Sequence, residues 1–120
     1  MNRQALDEHI TATYKSCAEH LWLKHPTFAV YRHGENKKWF AVIMEIPNAK
    51  LGAPGSGEVG VVNLKCDPLL IGSLVCENGI HRAYHMNKNY WITVSLDGSV
   101  DEDKIKWLLD ISFNLTHKKR

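Results

Sequence analysis

Between residues 78 and 95 the chain carries His81, Arg82, Tyr84, His85, Lys88 and Tyr90 and no acid at all. Cations interleaved with flat rings are the chemistry of nucleic-acid contact, because Lys and Arg hold phosphates while aromatic side chains stack or wedge against bases. A second basic group, Arg32, His33, Lys37 and Lys38, is broken only by Glu35. Two projecting loops of this kind could set phosphate contacts on either side of a duplex. The competing reading is a solvated loop and an ordinary hairpin tip. Fifteen Lys and Arg against thirteen Asp and Glu leave a net charge of only +2, too little to indicate nucleic acid by itself. Distribution matters more, since acids gather instead at Asp97, Asp101, Glu102 and Asp103.

Other chemistries find less support. His81-x-x-x-His85 would align two imidazoles on a helix, but Gly79 precedes it and Asn87-Lys88-Asn89 reads as a turn, so a metal pair is not expected. His20 and His25 flank Trp22 without a third ligand nearby. Cys17, Cys66 and Cys76 are an odd number with no C-x-x-C pair, which points to buried thiols rather than disulfides or a zinc ribbon. No serine occupies a G-x-S-x-G elbow, and Cys66 shares the inward strand parity of Val62 and Leu64. Gly55-Ser56-Gly57 lacks the spacing of a phosphate-wrapping loop. Glu45 ends a strand and Asp67 reads as a helix cap, so no acid and base pair can be placed. The residues therefore argue for a binding protein over an enzyme, with no cofactor.

Positioning these residues requires a fold, and 120 residues at 44% hydrophobic and 23% charged fit one domain. With no apolar run near the membrane-crossing length of about 20 residues and a polar N-terminus, a cytoplasmic monomer is expected, without membrane association. Asn2 is placed to cap a helix whose Leu6, Ile10, Thr13 and Cys17 share one face. Residues 28–32 and 39–46 read as a hairpin, with Trp39, Ala41 and Ile43 on one side and Phe40, Val42 and Met44 on the other. That second strand is apolar on both faces, as a central strand would be. Residues 47–60, with four Gly and two Pro, suggest a long mobile loop.

Residues 61–66 alternate as a strand, after which Asp67-Pro68 opens a short apolar helix to about residue 76, with Gly79 placed to end it. Residues 90–96 form the next strand and Asp97-Gly98 a turn. Ser99-x-x-Glu102 has capping-box spacing, and a basic tail, His117 to Arg120, follows the helix. Ile105, Leu108, Leu109, Ser112 and Leu115 make its buried stripe, extended by Trp107 and Ile111. Helix, strands, short helix, strands and helix in that order make an α+β two-layer sandwich.

Asn63-Leu64-Lys65-Cys66-Asp67-Pro68, Tyr84-His85-Met86-Asn87-Lys88, Trp91, Thr93-Val94 and Leu96-Asp97-Gly98-Ser99 together resemble the MmcQ/YjbR family. Leu21-Trp22, Ala29-Val30, Arg32-His33 and Asn36-Lys37-Lys38-Trp39-Phe40-Ala41 extend the resemblance over nearly the whole chain. It implies a CyaY (frataxin)-like sandwich, an antiparallel sheet of about five strands with the N- and C-terminal helices on one face. It also implies a bacterial cytosolic DNA-binding protein, in an arrangement likened to a double wing. The matched polar positions are Lys65, His85, Asn87 and Lys88; no catalytic residue carries over. The chain departs from the family wording at Arg82-Ala83, where Pro-Gly or Pro-Ala is usual, and at Tyr90, where a histidine precedes the tryptophan.

The expectation is thus a single domain that binds double-stranded DNA through Arg32, Lys37, Lys38, Lys65, Arg82, Tyr84, His85, Asn87 and Lys88. The alternative is a small-molecule or protein-binding module with a pocket near Tyr84, His85, Asn87 and Trp91.

Overall fold

The structure, a computed structural model, describes residues 1–52 and 55–117. The first helix, α1 (Arg3–Tyr14), begins as expected: Asn2 accepts from the Ala5 N–H at 2.9 Å. Lys15, in the left-handed region at φ 57°, ends it by donating its backbone N–H to Thr11 O. Of the anticipated stripe only Leu6 and Ile10 are buried. Thr13 is exposed, and Cys17 lies beyond the helix end, also exposed.

Past α1 the chain runs beside the edge strand β1 (Ala29–Arg32). Glu19 and Val30 exchange backbone bonds of 3.0 and 2.9 Å, and Ser16 Oγ donates to Arg32 O at 3.1 Å. Edge groups that would otherwise recruit another strand are covered in this way. The remaining strands are β2 (Trp39–Pro47), β3 (Glu58–Lys65), β4 (Ile80–Arg82) and β5 (Trp91–Ser95). They form one antiparallel five-stranded sheet in the order β1-β2-β3-β5-β4. The α+β architecture is as expected.

Two strand expectations need correction. A register shift at Tyr31/Arg32 pairs Arg32 with Trp39 while Tyr31 pairs with Ala41, leaving Phe40 as the extra residue. This bulge breaks simple alternation: Phe40 packs with Ala41 and Ile43 on the helical side, and Trp39 joins Val42 and Met44 on the other. The loop at 47–60 is also shorter than its glycines suggest. Pairing continues to Pro47 opposite Glu58, and a 3-10 turn at Asn48–Leu51 fills part of the connection. Cross-strand packing of Ile46 and Val59 outweighs local turn propensity there. Residues 53–54 of that segment lie outside the described residues.

Asp67 caps the second helix, α2 (Pro68–Leu74), accepting from Leu69 N–H, with Pro68 in its first turn. It ends before Gly79, which at φ 88° instead turns the chain into β4 and accepts from Ser95 N–H at 2.8 Å. Ile71 and Leu74 are buried, whereas Leu69 is 89% exposed. Cys76, just past this helix, is exposed rather than buried, its thiol near Gly72 O.

The third helix, α3 (Glu102–Thr116), is capped by Asp101, not by Ser99. The Ser99 N–H and hydroxyl both donate to Asp97 Oδ1, at 3.0 and 2.6 Å, closing the preceding turn. Ile105, Leu108, Leu109 and Ser112 are buried as anticipated, but Thr116 completes the stripe while Leu115 and Trp107 are about half exposed. The basic tail at 118–120 lies outside the described residues.

Leu6 and Ile10 of α1, Ile71 and Leu74 of α2, and the α3 stripe share one core with Ile43, Val62, Leu64, Ile92 and Val94. The opposite face carries a smaller cluster, Phe28, Val30, Val42, Met44, Ile46 and Val61, covered by loops rather than by a helix. No helix among the described residues is long and apolar enough to cross a membrane.

Candidate functional site

Antiparallel pairing decides which loops meet. The β1–β2 tip, the end of β3 and the β4–β5 connection all leave the sheet at one end, because Arg32 pairs with Trp39, Ala41 with Leu64, Lys65 with Trp91 and Arg82 with Ile92. Arg32, Lys37 and Lys38 therefore share an end with Lys65 and with Arg82, Tyr84, His85, Asn87 and Lys88, although they are up to 56 positions apart in sequence. The two outer loops lean to opposite sides. At the tip, His33 Nε2 meets Thr116 Oγ1 at 2.8 Å and Asn36 Nδ2 donates to Thr116 O at 3.0 Å, fastening that loop to the end of α3.

His33 is buried among Phe40, Phe113 and His117, so it is a packing residue and not a surface cation. Burial first, and the neighbouring His117 second, hold its pKa below the ordinary histidine value. Arg32 is engaged as well: its Nε and Nη2 donate to both carboxylate oxygens of Glu19 at 2.8 and 2.6 Å. Lys37, Lys38, Lys65 and Arg82 form no salt bridge among the described residues. Two carboxylates lie at the same end: Glu35 faces His117 at 3.7 Å, and Asp67 accepts from Leu69 N–H as a helix cap.

Most polar groups of the 84–88 loop hold the loop itself. Lys88 Nζ donates to Ala83 O at 2.8 Å. Asn87 Oδ1 accepts from Asn89 N–H at 2.9 Å, and Asn87 O accepts from Tyr90 and Trp91 N–H. Beneath the loop, fully buried Asn63 on β3 donates from Nδ2 to Tyr84 O at 2.8 Å, and Thr93 Oγ1 accepts from Tyr84 N–H at 2.9 Å. His85 stands out: it is exposed, sits in the left-handed region at φ 67°, and its ring centroid is 3.9 Å from that of Tyr84.

Behind His85, on the face that bears no helix, is a cleft of about 410 Å³. Trp22, Phe28 and Trp39 wall it, with Trp22 at 5.9 Å and 67° to Phe28 and at 5.6 Å and 70° to Trp39. Val42 and Met44 form an apolar floor beside Asn63. His25, stacked on Phe28 at 4.5 Å, joins His85 and Met86 around it. Of the four residues expected around a pocket, Tyr84, His85, Asn87 and Trp91, only His85 lines it. Trp22, Phe28, Trp39 and Asn63 were not singled out by sequence as site residues. Their signal was present: three aromatics within 18 positions, and an asparagine inside the apolar run Val61 to Leu64.

Burial raises the Cys66 thiol above its ordinary range, as expected of a core thiol. Burial lowers His81, which lies on β4 and is partly offset by the charge of Asp97. Among the described residues no three His, Cys, Asp or Glu side chains converge as a metal site would require.

The family model described as YjbR matches residues 12–115. The YyaQ protein of Bacillus subtilis (strain 168) is 36% identical over 116 residues, 97% of this chain and 98% of its own length. A crystal structure of a protein from Pseudomonas syringae superposes with a TM-score of 0.96 at 44% identity, covering 98% of this chain and all of that one. A Deinococcus radiodurans protein shares the fold at TM-score 0.69 and 22% identity, over 95% of this chain and 79% of its own.

Proposed function

The chain belongs to the YjbR family, and from that premise we propose that it binds duplex DNA across the loop end of its sheet, mainly through phosphates and without a chemical step. The observation that carries this reading is the strand order, which gathers the basic residues of three separate segments at one end. From β1 to β4 there are four interstrand gaps, about 19 Å in all at roughly 4.8 Å each. That exceeds the major-groove width of about 12 Å. Lys37 and Lys38 at one edge and Arg82 at the other would then meet phosphates on either side of one groove, with Lys65 between them. Lys65 Nζ lies 6.0 Å from the Tyr90 ring, which supports its extended stem.

Contacts of this type carry no sequence information, so affinity is expected to be salt-dependent and nearly sequence-independent. Tyr84, His85 and Asn87 would lie near the groove edge. Lys88 would contribute less than its charge suggests, since its ammonium group already bonds Ala83 O. A labelled duplex titrated at several salt concentrations tests the reading. Lys37→Ala/Lys38→Ala should reduce the slope of log K against log salt by about 1.8, at about 0.9 for each lost phosphate contact. Absence of binding at low salt, or an unchanged slope in this variant, overturns it.

A further inference from the structure

The cleft behind His85 shares that residue with the basic loop end, but among the described residues none of its lining side chains is Lys, Arg, Asp or Glu. Its volume lies in the range of small-molecule sites, about 300–1,000 Å³. The cleft lies where the second sheet face is left open between the 20–28 and 84–88 segments. We propose that this cleft binds a neutral, flat heteroaromatic molecule of about purine size.

Three features set that chemistry. First, Trp22 stands nearly perpendicular to both Phe28 and Trp39, so an inserted ring can lie flat on one aromatic face while its edge meets another. Second, the polar groups suit ring nitrogens and carbonyls: the imidazoles of His25 and His85 each offer a donor and an acceptor. Asn63 beneath them is fully buried and bonded to Tyr84 O and Thr93 Oγ1, so it holds the loop in place and the two imidazoles supply the polar contacts. Third, a lining without Lys or Arg favours an uncharged occupant, because a phosphate or carboxylate would be desolvated without a lysine or arginine to pair it. Free base or nucleoside therefore fits better than nucleotide or nucleic-acid strand. Met44 and Met86, flexible and polarizable, allow the walls to adjust to ring outline.

His85 is held in place for this role. Its left-handed backbone is uncommon for a residue with a side chain, and the Asn63–Tyr84–Thr93 bonds beneath the loop maintain it. Replacement by glycine would suit the same φ while removing the ring, so His85→Gly deletes the contact without disturbing the fold.

The test is an amide and indole N–H correlation spectrum of the 15N-labelled protein, titrated with adenine, adenosine, AMP, a short single-stranded oligonucleotide and the aliphatic control cyclohexanecarboxamide. Adenine or adenosine should shift the Trp22 and Trp39 indole signals saturably, with little dependence on salt. AMP should bind more weakly, and His85→Gly and Trp22→Ala should each reduce affinity at least tenfold. The proposal is overturned if neither free ring shifts those signals at millimolar concentration, if the aliphatic control binds equally, or if both variants bind as the wild type does. Binding by the oligonucleotide alone also overturns it, in favour of a strand-borne base. Lys37→Ala/Lys38→Ala should leave adenosine binding unchanged, which separates this outcome from that of the duplex titration.

Discussion

The Thr93 hydroxyl donates to Asn63 Oδ1 at 2.5 Å across β3 and β5, with both side chains fully buried and directly paired in the sheet. Through Asn63 Nδ2 and Thr93 Oγ1 the same pair holds both backbone groups of Tyr84. The sheet interior thus dictates where the His85 loop sits. Asn63→Leu would leave Tyr84 O and the Thr93 hydroxyl without these partners, at about 1–3 kcal/mol per buried group. A loss of about 2–6 kcal/mol is expected in urea denaturation, together with faster hydrogen exchange at Tyr84. Adding Thr93→Val to it should cost less than the sum of the single changes, since the two residues share one network.

Glu19 holds Arg32 away from any other anion, and Arg32 in turn holds the Glu19 carboxyl below the usual carboxylate range. Glu19→Gln releases the guanidinium while its backbone remains bonded to Val30. If Arg32 reaches phosphate once released, duplex affinity at low salt should rise and the salt slope should steepen by about 0.9. An unchanged slope in the same duplex titration would remove Arg32 from the interface.

His33 makes stability fall on the acid side of neutrality. Thr116 Oγ1 already donates to Ser112 O, so His33 donates from Nε2 to that oxygen, and burial disfavours its charged form. With a folded pKa below the unfolded value of about 6.5, the unfolded chain takes up the proton first. Stability is therefore complete above about pH 6.5 and declines as pH falls from there through the folded pKa. His81 shifts in the same direction, again through burial. Denaturant midpoints between pH 5 and 8 should show a shallower acid decline in His33→Gln than in the wild type.

Gly79 occupies a position closed to other residues. A Cβ there would lie 2.4 Å from Ser99 Oγ and 2.6 Å from Val100 Cγ2, and the backbone is left-handed at φ 88°. Gly79→Ala should destabilise by about 2–5 kcal/mol, combining the backbone cost of roughly 1–2 with an overpacking cost of roughly 1–3. Gly98 is also left-handed but has open space, so Gly98→Ala should incur the backbone cost alone. Thermal unfolding of the two variants separates the effects.

Local chemistry was enough to determine much of this protein from its sequence. Asn2 and Asp67 are caps because a short polar side chain can reach an unpaired N–H one turn away, and both helix starts follow from that reach. The apolar periodicity of residues 39–46 made β2 a strand buried on both faces, and Ile105, Leu108, Leu109 and Ser112 the inward side of α3. Where two local solutions competed, only the folded chain decided. Ser99 had the spacing of a cap but closes a turn with Asp97, leaving the cap to Asp101.

The candidate site depended on tertiary structure almost entirely. Sequence identified two basic loops but not that they share one end of the sheet, because strand order and direction are set by long-range pairing that no local period encodes. One extra residue at Phe40 moved Trp39 to the face where Trp22 and Phe28 gather, and so made the cleft. Charge visible in the sequence was also partly consumed on folding, by Glu19 at Arg32, burial at His33 and Ala83 O at Lys88. Residue types record what a side chain can bond to; which partner it meets depends on the three-dimensional packing.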